Sequence, residues 1–417
     1  MLSRKKLAVA IVIPVLLIAG FTGAAIISHV DTATTPQVAY AAAPAAGVVP
    51  APAAVATQPT SLADLETVFE DIYTRVNPSV VNVNVTMNAA SQSGFGFQGN
   101  PFGFSQPQTV QQALGSGFVW DQQGDIVTNN HVIASASSIQ VTFADGSTYT
   151  GKLVGADPNS DLAVIKVNAP ASELEPVTLA DSSQVKVGQL VIAIGNPYGL
   201  SGTMTQGIIS GLGRSLPAGS DSTSSQGPTY SIPDVLQTDA AINPGNSGGV
   251  LLDAQGDVIG VTAAIQSPVD ANSGVGFAIP SDTVKTVVTS IIQTGHYDHP
   301  WMGISGTSLT YDLAQGMHLS TDQRGVLVID VSPNGPAAKA GLQGSTQQAT
   351  INGQTVPVGG DVIIAIDGHA VDGFESMASY LLNNTKAGQT VTLAILRQGH
   401  QQTLQLKLGV LPAQPGA

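Results

Sequence analysis

Residues 237–252 read QTDAAINPGNSGGVLL. Within them Gly245-Asn246-Ser247-Gly248-Gly249 sets one hydroxyl among glycines, directly before an apolar triplet with strand character. A serine hydroxyl is a weak nucleophile. It reacts only where a base takes its proton and hydrogen-bond donors wait for the oxyanion that forms. Flanking glycines permit the torsions that turn N–H groups toward one point, and they leave room for an approaching chain. A plain glycine turn between two strands is the other reading of these five residues, so the rest of the chain has to decide.

The 417 residues suffice for two or three domains. With 46 glycines, 25 prolines and only 10% charged residues, the composition favours β structure with many turns. Acidic residues outnumber basic ones, 28 to 14, for a formal charge of −14. No basic stripe is present to neutralise phosphates, so nucleic acid is not an expected partner. The absence of cysteine excludes disulfides, thiolate zinc sites and cysteine nucleophiles. No metal-ligand spacing stands out, and no cofactor is expected.

Arg4-Lys5-Lys6 precedes 21 uncharged residues, 7–27, enough to cross a bilayer. Positive charge on the short side predicts a cytoplasmic residue 1–6 segment, a transmembrane anchor over 7–28, and the remainder outside the cytoplasm. Ala39-Tyr40-Ala41 offers a small-x-small cleavage site, but it lies far beyond the apolar run, and an uncleaved anchor is the expectation. Residues 29–60, rich in Ala and Pro, read as a disordered tether.

At Ser61 a helical period begins, with Leu62, Leu65, Phe69, Ile72 and Val76 on one face and Asn77-Pro78 as its end. The period becomes two at Val81, Val83 and Val85. A Gly-, Gln- and Phe-rich loop over 88–112 interrupts, and short strands separated by turns then run to 279. That pattern predicts an all-β sandwich or barrel. A helix opens at Ser281, with Val284, Val287, Val288 and Ile291 on one face and Gly295 as its stop.

A serine nucleophile needs an imidazole base, and the base needs an orienting carboxylate. His131, in TNNHV, is the only histidine between residues 60 and 295. Asp161 opens the apolar run DLAVI, which would bury its carboxylate at a strand start. Asp157, before Pro158, is the runner-up. The order His131, Asp161, Ser247 is the chymotrypsin-type order, in agreement with all-β character.

Together TNNHV (128–132), DLAVI (161–165), AIGNPYGL (193–200), QTDAAINPGNSGG (237–249) and GFAIP (276–280) resemble the HtrA (Deg) family of serine proteases. The resemblance covers about residues 62–411. It implies a mainly β fold: a chymotrypsin-like double β-barrel over 61–296, followed by a small α+β PDZ domain over 297–411 and a tail, 412–417. It also implies ATP-independent endoproteolysis of misfolded or unfolded extracytoplasmic proteins, and homotrimers. Carried over residue by residue, His131 is the base, Asp161 its partner and Ser247 the nucleophile. The oxyanion hole is Gly245 and Ser247, with Asn246 between them. Ala241 at the pocket base and Ile265 beside it imply a shallow apolar pocket and cleavage after Val or Ala. The polar loop 214–231 corresponds to the family's regulatory loop, where Arg214 would help order the oxyanion loop.

In the C-terminal part GVLVI (325–329), SPNGPAAKAGL (332–342) and GDVIIAIDG (360–368) resemble a PDZ domain. Trp301-Met302-Gly303-Ile304 would then hold the C-terminus of a bound protein by backbone N–H groups. The segment 343–358 is an insertion relative to the family, a loop or extra hairpin that would shade the groove or alter ligand choice. A single such domain fits the membrane-anchored members best. The alternative from another class is a chaperone or binding protein with little turnover; a third is an esterase using the same triad.

Overall fold

Alternating apolar residues generate two closed barrels. The computed structural model describes residues 62–87, 111–134, 136–196, 202–217, 231–265 and 274–412. The first barrel comprises β1 (Val80–Met87), β2 (Gln111–Val119), β3 (Asp125–Thr128), β4 (Ala136–Thr142), β5 (Thr148–Asp157) and β6 (Leu162–Lys166). It closes in the order β1-β2-β3-β6-β5-β4. The second comprises β7 (Leu190–Gly195), β8 (Thr203–Pro217), β9 (Ser231–Thr238), β10 (Val250–Leu252), β11 (Val258–Ile265) and β12 (Gly276–Pro280), in the order β10-β11-β12-β9-β8-β7.

β6 and β7 are apolar on both faces for a reason. In β6, Ala163 and Ile165 point into the first barrel, whereas Leu162 and Val164 join the core shared between the barrels. In β7, Val191 and Ala193 fill the second barrel, and Ile192 and Ile194 face the shared core. A strand buried on both sides reads as a continuous apolar run rather than an alternation. Helix α1 (Leu62–Val76) contributes Ile72 and Val76 to that shared core. A four-residue helical turn, α2 (Asn130–Ile133), follows β3 and carries His131. Helix α3 (Ser281–Thr294) adds Val284, Val287, Val288 and Ile291, each fully buried. Burying each is worth roughly 1.5–3 kcal/mol. Gly295 ends α3 in the left-handed conformation, φ 84°, and its N–H donates to the Ile291 carbonyl at 2.8 Å.

The C-terminal unit starts with β13 (Pro300–Trp301) and β14 (Ile304–Ser308), then α4 (Tyr311–Gly316), β15 (Val326–Val331) and α5 (Pro336–Ala340). The hairpin β16 (Gln347–Ile351) and β17 (Gln354–Val358) comes next. It is followed by β18 (Val362–Ile366), β19 (His369–Ala370), α6 (Phe374–Asn384), β20 (Thr390–Arg397), β21 (His400–Lys407) and β22 (Gly409–Val410). The main sheet runs β14-β15-β18-β20-β21, with β13 and β22 paired apart.

The insertion is the β16–β17 hairpin. Asn352 and Gly353 both have positive φ, 51° and 79°, as a two-residue primed turn requires. Its tip is tied to α4, where Asn352 Nδ2 donates to Asp312 Oδ2 at 2.8 Å. None of its residues lines the apolar cavity of this unit.

Side chains join the two parts. Asn383 Nδ2 on α6 donates to Asp234 Oδ2 on β9 at 3.2 Å, and Thr283 Oγ1 on α3 donates to Asn383 Oδ1 at 3.2 Å. Burial pushes the Asp234 carboxyl up, against the lowering effect of hydrogen bonds from Ser379 and Asn383. Among the described residues no helix is long and apolar enough to cross a membrane. The proposed anchor (7–28), the tether (29–60) and nearly all of the Phe-rich loop lie outside the described residues.

Candidate active site

Each chemical group sits at the end of a barrel strand. β3 delivers Thr128 and Asn129, and α2 then turns His131 outward, its side chain 47% exposed. Across the β5–β6 hairpin, Asp161 takes a left-handed conformation, φ 54°. That conformation is unusual outside glycine and is tolerated best by Asn and Asp. Asp161 is fixed by the chain it serves: its carbonyl accepts from Asn130 N at 3.1 Å and from Asn129 Nδ2 at 2.8 Å. Its carboxylate accepts the backbone N–H of His131 on Oδ1 at 2.9 Å and the ring Nδ1 on Oδ2 at 2.7 Å. A carboxylate can only accept, so the ring proton sits on Nδ1 and Nε2 is left as a proton acceptor.

The Ser247 loop is held from three sides. Ser247 accepts on its carbonyl from Ser116 N at 2.8 Å, and Gly248 N donates to the Thr262 carbonyl at 2.8 Å. Asn246 uses its own N–H on the Asn243 carbonyl at 2.9 Å, so it is not an oxyanion donor. Gly245 and Ser247 have N–H groups with no hydrogen-bond partner among the described residues. Gly248 admits nothing larger: its φ is +87°, and a Cβ would stand 2.1 Å from the Ser116 carbonyl oxygen and 2.5 Å from Thr128 Oγ1. The loop therefore lies directly on the residue three positions before His131. The Ser247 hydroxyl itself donates to the Ala263 carbonyl at 3.1 Å rather than to the imidazole.

Ser116 is the residue that sequence reasoning missed. It is fully buried on β2, and its hydroxyl donates to the Gly245 carbonyl at 2.6 Å while accepting from Asn196 N at 2.7 Å. Its own carbonyl accepts from Thr128 Oγ1 at 2.6 Å. One side chain thus orients the Gly245 peptide and ties both barrels together. The signal was Gly115-Ser116-Gly117, a small polar residue between glycines inside a strand, which marks close approach of another backbone. Ser116→Ala orphans two buried groups, each worth about 1–3 kcal/mol. It is expected to lower the melting temperature and to reduce kcat about tenfold or more as the Gly245 peptide loosens. Thermal melts and initial rates on the same preparation check both.

The other candidates separate. Asp157 does not approach His131; it is buried against His299. Ala241 accepts on its carbonyl from Thr205 Oγ1 at 2.9 Å and carries no charge beside the Ser247 loop. Ile265 ends β11, and its side chain is outside the description. Arg214 is exposed on β8 opposite Val235, without a hydrogen bond to residues 245–249. Trp301, Met302, Gly303 and Ile304 line a cavity of about 190 Å³ together with Phe374, Met377 and Leu381 of α6. Among the described residues no group of three or more His, Asp or Glu stands where it could hold a metal ion.

Comparisons with known proteins agree with this architecture. Residues 115–261 match the model of a trypsin-like peptidase domain, and residues 300–408 match a PDZ domain. The chain is 41% identical over 373 residues to Protease Do-like 1, chloroplastic, of Arabidopsis thaliana, covering 89% of this chain and 78% of that one. It is 37% identical over 364 residues to the periplasmic serine endoprotease DegP of Escherichia coli, covering 80% and 70%. A solved structure of the HtrA-type protease AlgW with a decapeptide superposes with a TM-score of 0.61 at 34% identity, covering 83% of this chain and 99% of that one. The chain belongs to the HtrA (Do-like) family of serine endoproteases, with a trypsin-like double barrel and one PDZ domain.

Proposed function

We propose that the chain hydrolyses unfolded polypeptides through an acyl-enzyme, with Ser247 as nucleophile, His131 as general base and then acid, and Asp161 as the group that orients the imidazole. The observation that carries this reading is the Asp161 carboxylate gripping both the ring Nδ1 and the backbone N–H of His131, beside a loop whose Gly245 and Ser247 N–H groups have no partner among the described residues. Attack by Ser247 Oγ on a carbonyl transfers the hydroxyl proton to His131 Nε2 and builds charge on the carbonyl oxygen. The Gly245 and Ser247 N–H groups receive that charge. The proton then passes to the leaving amine, and a water activated by His131 releases the acyl group. A rotation about the Ser247 Cα–Cβ bond has to bring the hydroxyl from the Ala263 carbonyl to the imidazole before the first step. The structure thus represents a resting rotamer in this reading.

The finer readings rest on the same kind of support. Ala241 without charge and Ile242 buried against Gly276 favour small aliphatic residues before the scissile bond. The cavity between β14 and α6 is apolar at Ile304, Phe374, Met377 and Leu381. Met302 and Gly303, at its end, have N–H groups without hydrogen-bond partners among the described residues, and Gly303 has φ 78°. Such a nest suits the terminal carboxylate of a peptide added as a strand. We further infer an N-terminal anchor over 7–28, an extracytoplasmic catalytic part, the domain division 61–296 and 297–411, and a trimer packed through the segment near 62–78.

The test is cleavage of unfolded casein and of a peptide panel by the full-length protein, with and without a peptide ending in a free apolar carboxylate. Cleavage after Val or Ala, accelerated by the added peptide, is expected. Preference for Arg would overturn the specificity reading. Binding of casein without cleavage would favour the chaperone reading.

A further inference from the structure

Asp157, the carboxylate left over beside the active site, has a partner in the other half of the molecule. Its Oδ2 accepts from His299 Nε2 at 2.7 Å, and both side chains are about 5% exposed, 4% and 6% respectively. Asp157 is the last residue of β5 and lies across the ladder from Leu162, the residue after Asp161. Residues 158–161 are therefore the hairpin loop that presents the Asp161 carboxylate. That loop is stitched to Asp157: Asn159 N donates to Oδ1 at 3.2 Å, and the Ser160 hydroxyl donates to Oδ2.

His299 is equally well placed on its own side. It lies between α3 and β13, its carbonyl accepts from Leu411 N at 2.9 Å, and it lines the apolar cavity next to Trp301 and Met302. The Tyr297 ring stacks edge-on against it at 4.7 Å between centroids. Burial, and after it the neighbouring Asp157 carboxyl, pushes the Tyr297 hydroxyl up.

Resting on the triad reading above, we propose that Asp157 and His299 are positioning residues for Asp161: the segment entering the second domain holds the catalytic carboxylate in register through a buried imidazole–carboxylate hydrogen bond and the Ser160 hydroxyl. The loop alone does not define that register. Asp161 holds a strained φ, and its carboxylate has to meet two donors of one residue at once. A buried anchor four residues upstream restricts the loop where backbone ladder bonds end. An anchor supplied by the second domain also gives the groove and the triad one shared structural element.

The experiment uses the full-length protein and a fluorogenic peptide with an apolar residue before the scissile bond, with kcat expressed per site titrated by a serine-directed phosphonate. His299→Ala is expected to lower kcat about 10- to 100-fold, with KM changed about twofold or less, the signature of a contact needed only in the transition state. His299→Gln sets an amide donor near the Nε2 position and is expected to recover most of the loss. A merely structural strut predicts otherwise: a lower melting temperature with kcat per titrated site unchanged, which overturns the proposal. If His299→Ala does not fold, Ser160→Ala decides, because it removes the side-chain tie from the loop to Asp157 and leaves the buried pair and the Asn159 N–H bond in place. Reduced kcat supports the proposal and wild-type kcat overturns it. Asp161→Asn is run alongside. If it keeps full turnover, the triad reading and this proposal fall together. If it is inactive while the His299 and Ser160 variants are wild type, only this proposal falls.

Discussion

Ser247→Ala is expected to lower turnover of an unfolded protein by roughly a million-fold while leaving the fold almost unchanged. The first half follows from the proposed role: without Oγ there is no acyl-enzyme, and only direct attack by water remains. The second half follows from the loop. Its conformation is set by backbone bonds that alanine retains: the Ser247 carbonyl to Ser116 N, Gly248 N to the Thr262 carbonyl, and Gly249 N to the Asn246 carbonyl. The hydroxyl loses one bond, to the Ala263 carbonyl, in a partly buried position. That is a change of about 1 kcal/mol at most. His131→Ala is expected to cost a similar factor, and the double variant hardly more than either single one, because the groups act as a unit. Gel-based casein cleavage, with thermal melts on the same samples, separates lost chemistry from lost structure. A double variant slower than the singles by the product of their factors would mean that the two side chains act independently.

How much of this was legible in the sequence depends on the range of the interaction. Elements set by local period were readable: α3 with its Val284–Ile291 stripe and Gly295 stop, and the alternation over Val81–Val85. That Asp161 rather than Asp157 meets His131 was readable as well, because Leu162–Ile165 is buried on both faces and carries the preceding carboxylate to the barrel junction. Ser116 and His299 were not identified. Ser116 acts through Gly245, 129 residues away, and His299 through Asp157, 142 residues away. No local pattern records which buried polar groups meet across two barrels and a second domain. The rotamer of Ser247 was also beyond reach, since a hydroxyl between the Ala263 carbonyl and an imidazole is decided by small differences in environment. The insertion illustrates an intermediate case: Asn352-Gly353 marks a hairpin turn, but the side on which it packs depends on Asp312 of α4.

Asp161→Asn is expected to reduce kcat by about ten-thousand-fold at neutral pH with little change in KM. The two oxygens of Asp161 meet two donors of His131, one of which cannot adapt. The backbone N–H of His131, 2.9 Å from Oδ1, is always a donor. An amide at 161 must therefore turn its oxygen to that N–H, which sets its NH₂ group against ring Nδ1, where Oδ2 now stands at 2.7 Å. Two donors cannot share that position, so Nδ1 gives up its proton and the neutral ring carries it on Nε2 instead. Nε2 then faces Ser247 as a donor and is unable to accept the hydroxyl proton. The positive charge that develops on the ring during attack also loses its carboxylate partner. Both effects act on the transition state and leave the substrate cleft intact, which is why KM is expected to hold. Asn also tolerates the left-handed conformation at 161 better than most residues, so the fold is expected to survive. Steady-state kinetics, with Nδ1 and Nε2 proton resonances observed by NMR on ¹⁵N-histidine protein, tests the tautomer directly. Wild-type turnover in this variant, or an Nδ1 proton retained with turnover lost, would mean that Asp161 acts on His131 by some route other than fixing its tautomer.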